Sequence, residues 1–352
     1  MLDLSFYKNK NVFVTGHTGF KGTWLCKVLT MAGACVTGYA LEPSTEPSLF
    51  KLCGLEQEIK SIIGDIRDLA HLTESVSKAK PEIVFHLAAQ PIVRESYKNP
   101  VYTYETNVMG TVNILESIRL CSSVKSFLNI TTDKVYENKE IEWSYRENDR
   151  LCGFDPYSNS KSCSELVTSS YKNSFFSDRA VAISTARSGN VIGGGDFSHD
   201  RIIPDCVRAA KKNEHIMVRN PDSIRPYQYV LEAIAAYLVI AERQYEDIVY
   251  ADSYNVGPDE CDCFRTEELV SLFCKKWGNV EWINKSMGDS LHEANFLRLD
   301  NSKIKAVLSW KPKWDLGQSI ERTVELYKTN EAYESINMIM EKQIMDYLDR
   351  SI

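Results

Sequence analysis

Through the first half of the chain, short and almost uninterrupted apolar runs alternate with segments whose apolar positions recur every three or four residues. The runs at 11–15, 34–40, 59–64, 83–88, 126–131 and 180–186 are too short for buried helices, so they predict strands. Between them, Trp24, Leu25, Val28, Leu29 and Ala32 repeat at helical spacing until Gly33 stops the pattern. Val108, Val112, Leu115 and Arg119, and later Cys163, Leu166, Val167 and Tyr171, predict helices in the same way. Strands that do not alternate polar with apolar positions are buried on both faces, and in β-α order that means a parallel sheet covered by helices on either side. A helix over 229–244 and a strand over 253–257 extend the layout. The predicted fold is α/β, a Rossmann-type doubly wound parallel sheet with a smaller carboxyl-terminal substrate lobe. Residues 1–190, rejoined by 229–258, make the first unit, and 191–228 with 259–352 make the second.

Ligands of such sheets sit beyond the carboxyl ends of the strands. The strand over 11–15 runs directly into Gly16-His17-Thr18-Gly19-Phe20-Lys21-Gly22 and then into a helix. Gly16 permits a tight turn, Gly19 lets the backbone approach a pyrophosphate, and Gly22 allows close helix–strand packing. The unpaired N–H groups of the helix terminus then face the phosphates. Leu87-Ala88-Ala89-Gln90 and Thr131-Thr132-Asp133 also follow strand ends, so they converge with the glycine loop on one crevice. Asp65, ahead of Ile66, ends another strand and suits an adenine-edge contact. The second strand ends in Tyr39-Ala40-Leu41-Glu42, with no arginine to attract a 2′-phosphate, which favours NAD over NADP.

The same crevice receives reactive groups. Thr132, Asp133 and Lys134 place a hydroxyl, a carboxylate and an amine side by side, and Tyr157 and Lys161 share one helix face at a spacing of four. A phenol, with a reference pKa near ~10, is a poor base at neutrality, but an adjacent ammonium and a cationic nicotinamide both favour the phenolate. It then takes a hydroxyl proton while the carbon-bound hydride leaves for the cofactor, and Lys161 also holds the nicotinamide ribose. Arg219 and Arg225 are candidate clamps for a diphosphate, because a guanidinium fork matches phosphate oxygens. Taken singly, these strings also read as an exposed helix pair, a solvated ion pair and a solvated basic face. His86, inside a strand, reads as structural.

Composition narrows the partner. The chain has 352 residues, 43% hydrophobic and 25% charged, with a net charge of −7, which argues against nucleic acid as a bulk partner. No apolar run approaches the ~18 residues of a membrane span, so no membrane partner is expected. Ten cysteines lie scattered, and no secretory leader is read, which together suit a reducing cytoplasm. Cys261-Asp262-Cys263 has poor spacing for a zinc knuckle, and no metal is expected.

Together the residues resemble the extended short-chain dehydrogenase/reductases, specifically their nucleotide-sugar 4,6-dehydratases, over nearly the whole chain. The glycine loop at 16–22 carries the resemblance with His86-Leu87-Ala88-Ala89-Gln90-Pro91, Thr132-Asp133-Lys134-Val135-Tyr136-Glu137-Asn138 and Asp155-Pro156-Tyr157-Ser158-Asn159-Ser160-Lys161. Further strings are Arg187-Ser188-Gly189-Asn190-Val191-Ile192-Gly193-Gly194-Gly195-Asp196, Arg225-Pro226-Tyr227-Gln228-Tyr229-Val230-Leu231-Glu232 and His292-Glu293-Ala294. Lys134 stands where relatives acting on other nucleotide sugars usually carry glutamate, which points to the branch acting on CDP-glucose. Departures from the family pattern are Tyr227 and Tyr229 for tryptophan and histidine, Val135 for cysteine, and Glu95 for arginine.

The resemblance implies NAD held by Gly16, Thr18, Gly19, Phe20, Lys21, Gly22, Asp65, Ile66, Leu87, Ala88, Ala89, Thr106, Tyr157 and Lys161. It implies a nucleotide-sugar substrate held by Gln90, Asn190, Arg201, Arg219, Arg225 and Tyr229, and a homodimer or homotetramer. It also implies a closed redox cycle. Tyr157 removes the C4 hydroxyl proton as hydride passes to NAD, with Thr132 polarising the oxygen. A base in the place of Lys134 then removes the C5 proton, Asp133 protonates the C6 hydroxyl so that water leaves, and hydride returns to C6. A lysine, with a reference pKa near ~10.4, acts as that base only if its pKa falls. A 4-epimerase, which needs neither the C6 acid nor the C5 base, and a non-catalytic NAD-binding sensor are the alternatives.

Overall fold

The computed structural model describes residues 3–141, 143–177, 181–285, 296–329 and 333–349. The string His292-Glu293-Ala294 lies outside them. The apolar runs become strands of one sheet: β1 (Asn11–Thr15), β2 (Cys35–Ala40), β3 (Lys60–Ile63), β4 (Ile83–His86), β5 (Ser126–Thr132), β6 (Ala182–Ser188) and β7 (Ser253–Val256). They lie in the order β7-β6-β5-β4-β1-β2-β3. Every pairing is parallel, with β1 registered Asn11↔Cys35 on one side and Val12↔Ile83 on the other. The strand expected over 83–88 stops at His86. Beyond it, the Leu87 and Ala88 amides turn to the Thr15 hydroxyl at 3.1 Å each.

Side-chain alternation along β1 divides the core between the two faces. Val12 and Val14 pack with Trp24, Leu25, Val28 and Leu29 of α1 (Phe20–Met31). Phe13 points the other way, into a cluster with Leu72 and Val76 of α2 (Leu69–Ala79) and Ile114 and Leu115 of α3 (Gly110–Arg119). A wide π-helical turn at Glu105–Met109 leads into α3. Helical periodicity does not reveal such a turn, and turns of this kind gather at functional sites.

α4 (Pro156–Phe175) buries a polar face. Ser160, Lys161, Ser164, Glu165 and Thr168 are inside, while Leu166 is 56% exposed. The reason lies in β5, where the Asn129 amide nitrogen donates to both Ser164 Oγ and Thr168 Oγ1 at 2.9 Å. Hydrogen bonds, not apolar contact, seat this part of the helix on the sheet. α5 (Val230–Glu246) covers the opposite face with Ile234, Leu238 and Ile240.

A third apolar cluster gathers Ile192, Ile203, Val207, Val218, Leu269, Phe273 and Ile320. Three two-stranded ladders accompany it: Asn190–Ile192 with Tyr227–Tyr229, Ile216–Val218 with Trp282–Asn284, and Ile224–Arg225 with Phe264–Arg265. All ten cysteines are unpaired thiols. Among the described residues, no helix is long and apolar enough to cross a membrane.

Candidate active site

Strand order reverses between β1 and β4, and a cavity of about 1160 Å³ opens at the carboxyl ends of the sheet. One wall is the glycine loop. Gly16 takes φ +77°, its amide donates to Tyr39 O at 2.9 Å, and a Cβ there would lie 2.8 Å from the Ala88 nitrogen. A Cβ on Gly22 would lie 2.1 Å from the Gly16 carbonyl oxygen, so α1 packs against the loop only because Gly22 has no side chain. Thr18, Gly19, Phe20, Lys21, Asp65, Ile66, Leu87, Ala88, Ala89 and Thr106 complete this wall. Thr106 sits on the π-helical turn, and its buried hydroxyl has no hydrogen-bond partner. Asp65 accepts from the Arg67 amide at 2.9 Å and from its guanidinium at 2.7 Å, and those bonds hold its carboxyl below the usual range.

Thr132, Lys134, Tyr157 and Lys161 border the same cavity, with Asp133 fully buried behind them. A single turn of 3-10 helix at Asp133–Val135, started by Thr132, folds the three adjacent groups together. Asp133 Oδ1 accepts from the Thr132 hydroxyl and from Lys134 Nζ, each at 2.9 Å, while its Oδ2 has no partner. Lys134 Nζ also donates to Asn190 Oδ1 at 3.2 Å. α4 starts beside this turn because Asp155 caps it, accepting from the Ser158 amide at 3.0 Å, and Pro156 opens it. The Tyr157 amide donates to Ser96 Oγ at 3.1 Å, and one turn later Lys161 Nζ donates to Ile130 O at 3.1 Å.

The electrostatics of the site are dominated by burial. Burial pushes the Tyr157 phenol up to about 12, against the pull of hydrogen bonding with Thr132 and the charge of Arg201. The Lys161 ammonium donates to the Ile130 carbonyl. Burial lowers Lys161 to about 8, with Glu165 opposing the shift. Lys21 falls to about 7, through burial first and then repulsion from Arg201 and Lys161. Excess positive charge thus gathers at this end of the cavity, a setting that favours an anionic ligand. His86 is structural: its ring nitrogens lie 2.8 Å from Thr15 Oγ1 and 3.3 Å from Thr111 Oγ1, and burial lowers it to about 3.

The facing wall carries Gln90, Asn190, Arg201, Arg219 and Arg225. Gln90 is already engaged, donating to Thr103 Oγ1 at 2.9 Å and accepting from the Ile92 amide at 2.6 Å. Arg219 and Arg94 share Asp200, at 3.3 Å and 3.9 Å. Tyr229, expected to touch substrate, is instead core. It is fully buried between Trp24 and Trp314, its hydroxyl donates to Gln343, and it starts α5 away from the cavity. Tyr227, two residues earlier, borders the cavity and pairs with Thr266 Oγ1 at 2.9 Å.

Two further buried groups stand beside the site. Asn107 accepts from the Gln90 amide at 2.8 Å and donates to Ser160 Oγ at 2.9 Å, tying the β4 loop to α4. The π-helical turn that aims it leaves no periodic mark. Glu165 continues the four-residue spacing of Tyr157 and Lys161, a signal that was legible in the sequence.

Residues 13–323 match the family described as GDP-mannose 4,6 dehydratase. The chain is 46% identical over 355 residues to the CDP-glucose 4,6-dehydratase of Salmonella typhimurium, covering 99% of each. The solved UDP-glucose 4-epimerase of Thermotoga maritima with UDP-glucose matches at TM-score 0.78 and 22% identity, over 89% of this chain and 97% of that one. The dTDP-glucose 4,6-dehydratase of Bacillus anthracis in complex with NAD matches at TM-score 0.76 and 20% identity, over 91% and 97%. These two structural likenesses concern the doubly wound fold.

Proposed function

The chain belongs to the GDP-mannose 4,6-dehydratase family, and from that premise we infer that it is an NAD-dependent enzyme converting CDP-glucose to CDP-4-keto-6-deoxyglucose and water. The observation that carries this reading is the Asp133–Lys134 pair, bonded at 2.9 Å, with Lys134, Thr132 and Tyr157 lining one cavity and Asp133 buried directly behind them. An epimerase has no use for a buried carboxylate and amine at that place. The residues present fit NAD: a glycine cradle at a helix terminus, an unpartnered Thr106 hydroxyl, and no arginine where β2 ends in Ala40. Gly16, Gly19, Gly22 and Thr106 would hold NAD, which would supply the hydride acceptor and donor for the sugar's C4 and C6.

The chain's own residues move the protons. Tyr157 takes the C4 hydroxyl proton, and Thr132 donates to the same oxygen. Because burial holds the phenol near 12 even with Thr132 and Arg201 pulling it down, further positive charge, such as that of an oxidised nicotinamide, would have to favour the phenolate. Once C4 is a carbonyl, the C5 proton becomes acidic. Transfer of one proton from Lys134 to Asp133 turns the ion pair into an amine and a carboxylic acid without help from solvent. The amine takes the C5 proton, the acid gives its proton to the C6 hydroxyl, and water leaves. As hydride is added at C6, the Lys134 ammonium, exchanged with solvent, gives a proton to C5. The proton held by Tyr157 passes back to Lys134 through solvent, so that all three groups return to their starting forms. Arg201, Arg219 and Arg225 face the diphosphate, with Asn190 near the sugar. In this reading, 191–228 and 259–352 form the substrate lobe, and 1–190 with 229–258 hold NAD.

A homodimer or homotetramer accompanies the reading. Val101, Met109 and Leu166, on neighbouring helical segments, are 70%, 49% and 56% exposed, and a second copy would cover them. Leu166→Glu is expected to shift the protein towards the monomer, read by light scattering. An unchanged mass removes this face from the assembly.

Incubation with CDP-, dTDP-, GDP- and UDP-hexoses, scored by loss of one water, tests the reaction and the base together. CDP-glucose is expected to react, and an epimer of unchanged mass rejects the dehydratase. Gly22→Ala is expected to lower stability by about 1–3 kcal/mol through overpacking and to weaken NAD binding. Thermal unfolding with and without NAD checks both effects, and an unaltered NAD-induced shift would remove the loop from the cofactor site.

A further inference from the structure

We propose that Glu165 is a positioning residue that supplies the anion one helical turn beyond Lys161 and clamps the two reactive strings of the site, Tyr157–Lys161 and Thr132–Lys134, to one another. Tyr157, Lys161 and Glu165 succeed one another at four-residue spacing on the buried face of α4, and Glu165 is 3% exposed. Its Oε1 accepts from the Thr131 hydroxyl at 2.5 Å, and its Oε2 accepts from the Thr185 hydroxyl at 2.8 Å and from Arg187 Nη2 at 2.9 Å. One carboxylate therefore joins α4 to β5 and β6. Thr131 lies between Ile130, whose carbonyl accepts from Lys161, and Thr132, where the catalytic turn begins. Arg187 is fixed from behind, donating to the Tyr136 hydroxyl at 2.9 Å and to Glu147 O at 2.8 Å.

The charged and titratable groups around Lys161 explain why a carboxylate is needed there. Its own helix supplies Tyr157 and Glu165, and β4 supplies His86, which is neutral. Lys21 approaches from α1, Asp133 and Lys134 stand at the end of β5, and Arg187 lies on β6. Burial works against the Lys161 ammonium, and Glu165 is the group that supports it. Arg187 balances the charge of Glu165 within the core, so removing one partner alone exposes the other to an uncompensated burial.

The role in catalysis rests on the dehydratase reading, but the test reads Lys161 directly. Trace acetylation of the full-length protein across a pH series, with the Lys161 peptide quantified by mass spectrometry, gives the midpoint at which the amine becomes reactive. Glu165→Gln keeps a hydrogen-bonding side chain and removes the charge. The double variant Glu165→Gln/Arg187→Met removes both buried charges and serves if the single variant does not fold. In Glu165→Gln the Lys161 midpoint is expected to fall by about one pH unit, and in the double variant, which also loses the Arg187 cation, to fall by less. The alkaline limb of kcat for CDP-glucose should fall by the same amount, with KM within about twofold. An unchanged labelling midpoint overturns the proposal, even if activity is lost. A shifted midpoint in a protein whose native form does not dehydrate CDP-glucose leaves Glu165 in its role and rejects the dehydratase reading instead.

Discussion

Tyr157→Phe is expected to reduce kcat for CDP-glucose by about a hundred- to ten-thousandfold, the range for loss of a positioned proton acceptor. KM should stay within about threefold, because the phenol acts on the reacting proton and not on the nucleotide. The ring itself is buried, and only the hydroxyl goes, so the thermal midpoint should barely move. The decisive reading is a single turnover followed by the absorbance of reduced nicotinamide. No reduced cofactor should appear, because C4 cannot give up hydride while its hydroxyl keeps the proton. A variant that still reduces NAD at the native rate would remove Tyr157 from the role of base.

Asp133→Asn should lower the overall rate by about a hundred- to thousandfold while failing at a different point. Tyr157 is untouched, and the asparagine carbonyl oxygen still accepts from the Thr132 hydroxyl, which in the native protein donates to Asp133 Oδ1. C4 oxidation therefore proceeds and reduced nicotinamide accumulates, but no water is lost from the sugar. The two variants thus separate oxidation from elimination: the first stops before reduced cofactor forms, the second stops after. Lys134 belongs to the second class, since its amine is bonded to Asp133 and Asn190. In Lys134→Ala, exchange of the C5 hydrogen with solvent deuterium should be lost. Normal incorporation in that variant would assign the C5 base elsewhere.

The sheet was legible because its strands are buried on both faces and leave uninterrupted apolar runs. The glycine loop was legible because Gly16 and Gly22 answer steric demands that few other residues meet. What the pattern did not reveal follows from polar packing. The apolar positions of α4 announce a helix, yet its buried face is the polar one, since Asn129 and Thr131 on β5 bond to Ser164, Thr168 and Glu165. Tyr229 read as a substrate contact from its place in a motif, but the start of α5 turns it into the core beside Trp24. The upward shift of the Tyr157 phenol comes from burial, which is not written in a spacing of four. Asn107 required the π-helical turn to bring it to Ser160, and no periodicity marks that turn.

The measurement that bears most directly on internal redox dehydration follows one hydrogen. The protein is incubated with CDP-glucose carrying deuterium at C4, and the product is read by mass spectrometry and NMR. The account predicts a product lighter by one water, with the deuterium now on C6 and a solvent-derived hydrogen at C5. Deuterium returned to C4 in a product of unchanged mass, or lost to solvent before any water leaves, would contradict it.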